Sequence, residues 1–369
     1  MEKVRTSLIS IFFFISATSL HAQQDYRVAS EIILRSDGPE GIDTYTLIQS
    51  KFGSGCIEAP DLYSVNHPGE KHIVETSDDE VGNYFLFKIH KKEDRDRDTD
   101  KTDRQRNEIK TFDNSPNEGK GFKGQSMRFH WYFKLKEGYA ISKNFSHFFQ
   151  LKAKGGDDSQ PIVTISGSIN NNQPEFEIIY NSGNSTPDRQ IASAPWGEAN
   201  SGKWMEMEVL ATFADEGYLK ITVRDLYGKL IMETEKEAID LWRTGSTFVR
   251  PKWGIYRSLS SASYLRDEEE TAGFAHFTLQ KIEWKQTNLA EQSMQNESFS
   301  ISPVPSESKL FIHMATPQSG LLEIINARGQ SCFRKTMDRR ETETAVFLEL
   351  PPGCYLVKFN QQVKKMYWK

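Results

Sequence analysis

The segment Met127-Arg128-Phe129-His130-Trp131-Tyr132-Phe133-Lys134-Leu135 alternates without a break between large apolar and polar or cationic residues. Side chains two apart share one face of an extended strand, so this pattern specifies a strand and not a helix. Phe129, Trp131, Phe133 and Leu135 point one way; Arg128, His130, Tyr132 and Lys134 point the other. A strand that is apolar on one face only belongs to an antiparallel sheet laid over a core. Strand patterns recur outward along the chain at Tyr84–Ile89, His147–Ala153, Pro161–Ser166, Phe176–Tyr180, Met205–Phe213, Tyr218–Arg224 and Phe274–Trp284. Clusters such as Asp157-Asp158, Asn170-Asn171-Asn172 and Asp215-Glu216-Gly217 suit the tight connections between them. Many short strands without long amphipathic helices predict an all-β fold, a β-jelly roll made of a two-sheet antiparallel sandwich with a concave groove.

Composition agrees with a folded protein. Aromatics make up 12% of the 369 residues, which favours packed cores over disorder. The 46 basic and 51 acidic residues leave a formal net charge of -5, which argues against a strongly basic nucleic-acid binder. Three cysteines cannot staple a chain of this length and show no zinc-ligand spacing. Cys332 and Cys354 lie in the same C-terminal region, where a pairing is open, and Cys56 is left single.

The ends carry the organisation. Lys3 and Arg5 precede the apolar run Leu8–Ile15, broken by Ser10, and Ala22 offers a cleavage point before Gln23, so residues 1–22 read as a signal peptide. No other long apolar stretch follows, and no membrane span is expected in the mature chain. Residues 23–285 form the large β-domain and the polar, aperiodic stretch 286–300 a linker. From 301 to 369 a small strand-rich domain is expected, with strands at Lys309–His313, Leu321–Ile325, Ala345–Leu350 and Gly353–Phe359.

Within the large domain, four strands share an unusual polar face. Arg106, Glu108 and Lys110 align in one, and Gln150 and Lys152 in a second, with His147, Phe149 and Leu151 on its apolar side. Arg250, Lys252 and Tyr256 align across Gly254, with Trp253 and Ile255 opposite; Arg128, His130 and Lys134 come from the opening segment. An ordinary solvated face mixes Thr, Ser, Glu and Lys. This one concentrates Arg, Lys, Gln, His and Tyr, and suits a long polyanion. Lys110, Lys134, Arg250 and Arg257 are candidates to hold its anionic groups, although Arg257 has the wrong parity on a regular strand. The mixed-charge run His90 to Arg106 reads as a solvated loop, in which Asp94, Asp96, Asp98 and Asp100 could hold a structural Ca²⁺ against the interleaved cations.

Three pieces carry a family resemblance: Arg106-Asn107-Glu108-Ile109-Lys110, Gln150-Leu151-Lys152 and Lys252-Trp253-Gly254-Ile255-Tyr256-Arg257. Together they resemble the jelly-roll polysaccharide lyases, in which alginate lyases carry Arg-x-Glu-Leu-Arg, Gln-Ile-His and Lys-x-Gly-x-Tyr strands and the heparin lyase I group a Lys-Phe-Gly-Ile-Tyr-Arg strand. Lys152 stands where those enzymes place a catalytic His, a substitution that resembles the ulvan lyases of the same fold, which pair a Lys with a Tyr. The resemblance therefore implies a secreted lyase on a uronate-containing anionic polysaccharide, ulvan first, with glucuronan, alginate or a heparin-like polymer, or a non-catalytic carbohydrate-binding protein, as alternatives. Residues 301–369, with Pro303-Val304-Pro305 in place of the usual Pro-Asn-Pro, resemble the C-terminal sorting domain of the type IX secretion system of Bacteroidetes. That resemblance implies the type IX machinery as a partner and a secreted or cell-surface location.

A lyase of this kind removes the C5 proton of a uronate and expels the 4-linked oxygen. The substrate carboxylate must be neutralised, for which Arg106 and Gln150 are the candidates; the other polar-face residues, Glu108 and Lys252 included, would bind substrate. Tyr256 is the expected acid, and Lys152 the expected base if its pKa is depressed. Two other arrangements stay open: Tyr256 as base and acid with Lys152 neutralising charge, or His130 as base. The elimination requires no cofactor. A jelly-roll glycoside hydrolase would need closely placed carboxylates, and the nearest segment, Glu206-Met207-Glu208-Val209-Leu210-Ala211, breaks that pattern.

Overall fold

The structure is a computed structural model and describes residues 26–98, 100–183, 187–285, 299–314, 319–327, 329–337, 342–360 and 362–368. The expected signal peptide and most of the expected linker lie outside the described residues. The chain divides into two compact units, Met1–Lys285 and Gln286–Lys369.

In chain order the first unit carries strands β1 (Tyr26–Leu34), β2 (Ile57–Glu58), β3 (Ile73–Asp78), β4 (Gly82–Ile89), β5 (Arg104–Lys110), β6 (Ser126–Leu135), β7 (Ser146–Lys154) and β8 (Val163–Asn170). It continues with β9 (Gln173–Tyr180), β10 (Arg189–Pro195), β11 (Met205–Thr212), β12 (Gly217–Asp225), β13 (Leu230–Ile239), β14 (Phe248–Ser258) and β15 (Glu270–Trp284). One sheet runs β13-β12-β11-β6-β15-β4-β3, with β1 also paired to β15; the other runs β10-β9-β8-β7-β14-β5-β2. Neighbouring strands are antiparallel throughout both sheets. This is the expected jelly-roll sandwich.

The alternation of the opening segment sets the core. Phe129, Trp131, Phe133 and Leu135 of β6 are buried; Phe129 and Trp131 meet Phe149 and Trp253 from the facing sheet, with Trp131 stacked on Phe149 at 4.7 Å between ring centroids. Such aromatic pairs add about 0.5–1.5 kcal/mol each beyond the area they bury. A helix not foreseen from the sequence, α1 (Thr44–Phe52), starts where the Asp43 carboxylate accepts the Thr46 N–H at 3.1 Å and stops at Gly53. Its last residue, Phe52, stacks on Trp253 at 5.9 Å.

Two irregularities shape the outer face of the second sheet. In β14 the pairing with β7 slips between Trp253 and Tyr256. Gly254 sits there at φ +141°, and a Cβ on it would meet the Asn107 carbonyl oxygen at 2.1 Å, so only glycine fits. In β7 the pairing with β8 slips between His147 and Phe149, so that Phe148 and Phe149 both enter the core. His147, read from alternation as facing the apolar side, is thereby rotated onto the outer face, opposite Tyr256.

The second unit is a small sandwich of β16 (Phe299–Val304), β17 (Lys309–Met314), β18 (Gly320–Asn326), β19 (Ser331–Met337), β20 (Glu343–Phe347), β21 (Gly353–Phe359) and β22 (Gln362–Trp368). Its sheets run β16-β17-β20 and β19-β18-β21-β22 around a core that includes Phe299, Ile312, Ile324, Val357 and Trp368. Cys332 on β19 and Cys354 on β21 flank β18 and are free thiols. With strands ~4.8 Å apart, an intervening strand puts two positions beyond disulfide reach.

Candidate active site

Strands β7, β14 and β5 lie side by side and bring most of the expected residues onto one face. Tyr256 stands opposite Arg106 on β5 and His147 on β7; Lys252 stands opposite Lys110 and Gln150; Arg250 stands opposite Lys152. Glu108 lies across from Gly254 on one side and Glu58 of β2 on the other.

Buried carboxylates organise this face. Glu108, 1% exposed, accepts hydrogen bonds from Arg106 and Gln150 and pairs with Lys252 at 2.6 Å. Glu58 pairs with Lys110 at 2.7 Å, Lys252 at 2.7 Å and Arg97 at 3.2 Å. Asp96 accepts the Nε–H and Nη2–H edge of the Arg106 guanidinium, at 2.8 and 3.3 Å. Burial alone would raise all three carboxyls; Lys252 and Arg106 at Glu108, Lys252, Arg106 and Lys110 at Glu58, and Arg106 and Arg97 at Asp96 outweigh it and hold them below the usual carboxylate range. Arg97, Arg106, Lys110, Arg250 and Lys252 then stand against Glu58, Asp96 and Glu108, a cationic excess that attracts polyanions.

The network changes the expected division of labour. Arg106 and Gln150, expected to grip a substrate carboxylate, direct their donors to Asp96 and Glu108. Glu108 itself is enclosed by the donors of Arg106, Gln150 and Lys252. Arg250 is different: its Nε and Nη1 are buried without a hydrogen-bond partner, and its guanidinium lies 4.7 Å from the Phe112 ring centroid. A buried guanidinium with open donors is poised for an anion.

Lys152, Tyr256 and His147 are titratable groups on this face whose proton affinities are shifted by burial. Burial, with help from the charge of Lys252, lowers the Lys152 amine to about 7. Its Nζ donates to the Asp158 and Ser159 carbonyls, which accounts for both hydrogens of a neutral amine and leaves the lone pair free. Burial raises the Tyr256 phenol above its ordinary value against the opposing charge of Arg106, so the phenol is neutral at physiological pH. Arg104 donates to its oxygen at 3.0 Å, and the Arg106 guanidinium covers its ring at 3.6 Å. His147 bonds Ser166 at 2.7 Å, and burial lowers its imidazole to about 4.

Residues 62–276, more than half of the chain, match the family model described as polysaccharide lyase. The chain belongs to the polysaccharide lyase family. Residues 300–369 match the secretion system C-terminal sorting domain, which indicates export through the type IX route to the cell surface or beyond. Similar solved structures include an endo-β-1,4-glucuronan lyase from the fungus Trichoderma reesei, 14% identical over 69% of this chain and 95% of that one, with a TM-score of 0.40. Others are an alginate lyase from Pseudomonas aeruginosa (12% identity, 57% and 86% coverage, TM-score 0.38) and an exolytic alginate lyase from Zobellia galactanivorans (9%, 61% and 94%, 0.42). No curated protein sequence matches the chain.

Four expected residues of the lyase fall elsewhere. Arg128, His130 and Lys134 lie on β6 in the opposite sheet, paired with Glu208, Glu206 and Asp78. Both sheets of a sandwich show the same alternation, so parity alone cannot assign a strand to one of them. His130→Ala is expected to leave kcat/KM within about twofold of wild type, as for a surface change remote from the chemistry. A tenfold loss in steady-state assays would return His130 to the site. Arg257 points inward, fully buried, and donates to Gln105 at 2.9 Å, as its parity required.

The run His90–Arg106 is not a simple solvated loop: Asp94 and Asp96 are buried. Asp96 turns to Arg106 while Asp94 turns to a group of histidines, so the two do not converge on one Ca²⁺. Glu58, Asp96, Arg97, Arg104 and His147 are the site residues that sequence reasoning missed. Glu58 sits on a two-residue strand without periodicity, and His147 is turned onto this face by a bulge. Only the density of charge before Arg106 could have flagged Asp96 and Arg97.

Proposed function

We propose that the protein cleaves a uronate-containing anionic polysaccharide by β-elimination, with ulvan as its substrate. The observation that carries the reading is a half-buried amine lowered to about 7 at Lys152, on the same sheet face as the neutral phenol of Tyr256 and the cationic excess around Glu58 and Glu108. Five register steps along β7, ~17 Å at ~3.4 Å per residue, separate the Lys152 position from that of Tyr256.

In this mechanism Arg250 receives the uronate carboxylate, and the surrounding cations stabilise the charge that develops on it. The Lys152 lone pair takes the C5 proton. The C5–H electrons form the C4=C5 double bond, the C4–O bond breaks, and the leaving oxygen takes a proton from Tyr256. Return of the proton from Lys152 to Tyr256 through solvent restores both groups. His147 supports a second assignment of the base, because it stands directly opposite Tyr256 and is neutral above about pH 4. The choice of ulvan rests on Lys152 in the position where alginate lyases carry His.

The test is absorbance at about 235 nm, where unsaturated uronyl ends absorb, while the purified protein acts on ulvan, glucuronan, alginate and heparin. A rise on ulvan is the expected result. A rise confined to another polymer removes the ulvan assignment and keeps the elimination; binding without a rise on any polymer removes both.

A further inference from the structure

A cluster on the β3–β4 side of the lyase unit plays no part in this chemistry. His67 and His72 precede β3, His90 follows β4, and Asp94 lies four residues beyond it. One ligand atom from each of His67, His72, His90 and Asp94 lies within 4.8 Å of the other three. Adjacent donors are 2.9 Å apart from His67 to Asp94, 3.1 Å from His72 to Asp94 and 3.3 Å from His72 to His90. The edge of a tetrahedron with bonds of 2.0–2.1 Å is about 3.3–3.4 Å, so the atoms already stand near zinc-ligand spacing.

The remaining polar atoms of these residues are held from outside. His72 Nδ1 lies 2.7 Å from the Glu70 carbonyl and 3.2 Å from Asp61, acceptors that take an N–H from Nδ1 and leave Nε2 facing the centre. His90 Nε2 lies 3.0 Å from Glu269, which turns Nδ1 inward by the same logic. Asp94 Oδ2 accepts the His90 backbone N–H at 2.6 Å, leaving Oδ1 for the centre. Ring nitrogens and a carboxylate oxygen this close together are held by positive charge between them, supplied by a metal ion or by protons on the rings. Carboxylate and carbonyl partners on the far nitrogens are the usual way a protein orients metal-binding histidines.

We propose that His67, His72, His90 and Asp94 bind one divalent transition-metal ion, with zinc favoured by the three-nitrogen, one-oxygen donor set. Four protein ligands close the coordination sphere, so the ion is structural. Its place in the fold gives it a task. On β5, Gln105 donates to the His90 and Asp94 carbonyls and Asn107 to the His72 carbonyl, while Arg106 between them reaches Asp96 on the other face. The ion thus pins the segment that carries Asp96 against Arg106.

The experiment uses the full chain, purified without a polyhistidine tag, incubated with zinc chloride and then desalted. Elemental analysis is expected to return about one zinc per chain, and cobalt substitution a tetrahedral visible spectrum. His67→Ala, at the partly exposed edge of the cluster, should lose the metal while keeping its circular dichroism, and Glu269→Gln should weaken zinc about tenfold or more. Chelation should lower the melting temperature of wild type and not that of His67→Ala. Wild type that holds no zinc, or variants that hold as much as wild type, would overturn the proposal and leave a proton-bridged histidine–aspartate network.

Discussion

Tyr256→Phe is expected to lower kcat by about 10²–10⁴-fold, the range for removing a positioned general acid, while leaving polysaccharide affinity within a few fold. The substitution deletes one oxygen. The ring stays beneath the Arg106 guanidinium, and Arg104 loses a single acceptor while keeping its Asp103 partner. The fold therefore has little reason to respond, and the loss falls on the step that protonates the leaving oxygen. Turnover followed by product absorbance, together with calorimetric binding of the intact polymer, separates the two quantities. A variant retaining more than a tenth of wild-type kcat would remove Tyr256 from the chemistry.

Lys152→Arg carries the second large effect. Arginine keeps the positive charge but has no lone pair at any accessible pH, so it can neutralise and cannot act as a base. A loss of about 10²–10⁴-fold is expected if Lys152 takes the C5 proton, and a loss under about tenfold if it only neutralises charge. The wild-type pH profile provides an independent reading. The amine must be neutral to act, and burial beside Lys252 places its titration at about 7. As pH falls through that value the amine is protonated, so kcat/KM should drop tenfold per pH unit below it. An acid limb near pH 4 would instead follow His147, whose imidazole burial lowers to about 4, and activity in Lys152→Arg would then survive.

Much of this molecule is legible from local pattern. Alternation in Met127–Leu135 and its counterparts specifies strands, their apolar faces and hence the sandwich, because burying one face of each strand leaves few other solutions. The polar parity of Arg106, Glu108, Lys110, Gln150, Lys152, Lys252 and Tyr256 likewise survives into one shared face, since β5, β7 and β14 are neighbours. Where local pattern misleads, a nonlocal cause is identifiable. His130 shares the parity and chemistry of the site residues but belongs to β6 in the other sheet. His147 changes face because Phe148 and Phe149 both enter the core and force a bulge.

By itself the sequence determined which residues could lie on a polar strand face and which chemistry they could perform, because side-chain parity and functional groups are local properties. Tertiary structure alone decided which faces coincide and which charges are already satisfied. Glu58 and Asp96 reach Arg106, Lys110 and Lys252 only after the chain has folded, while Arg250 on the same face keeps Nε and Nη1 without a hydrogen-bond partner. The pKa of Lys152 belongs to the same category, since burial and a cation on a neighbouring strand lower it and neither is a property of the local sequence.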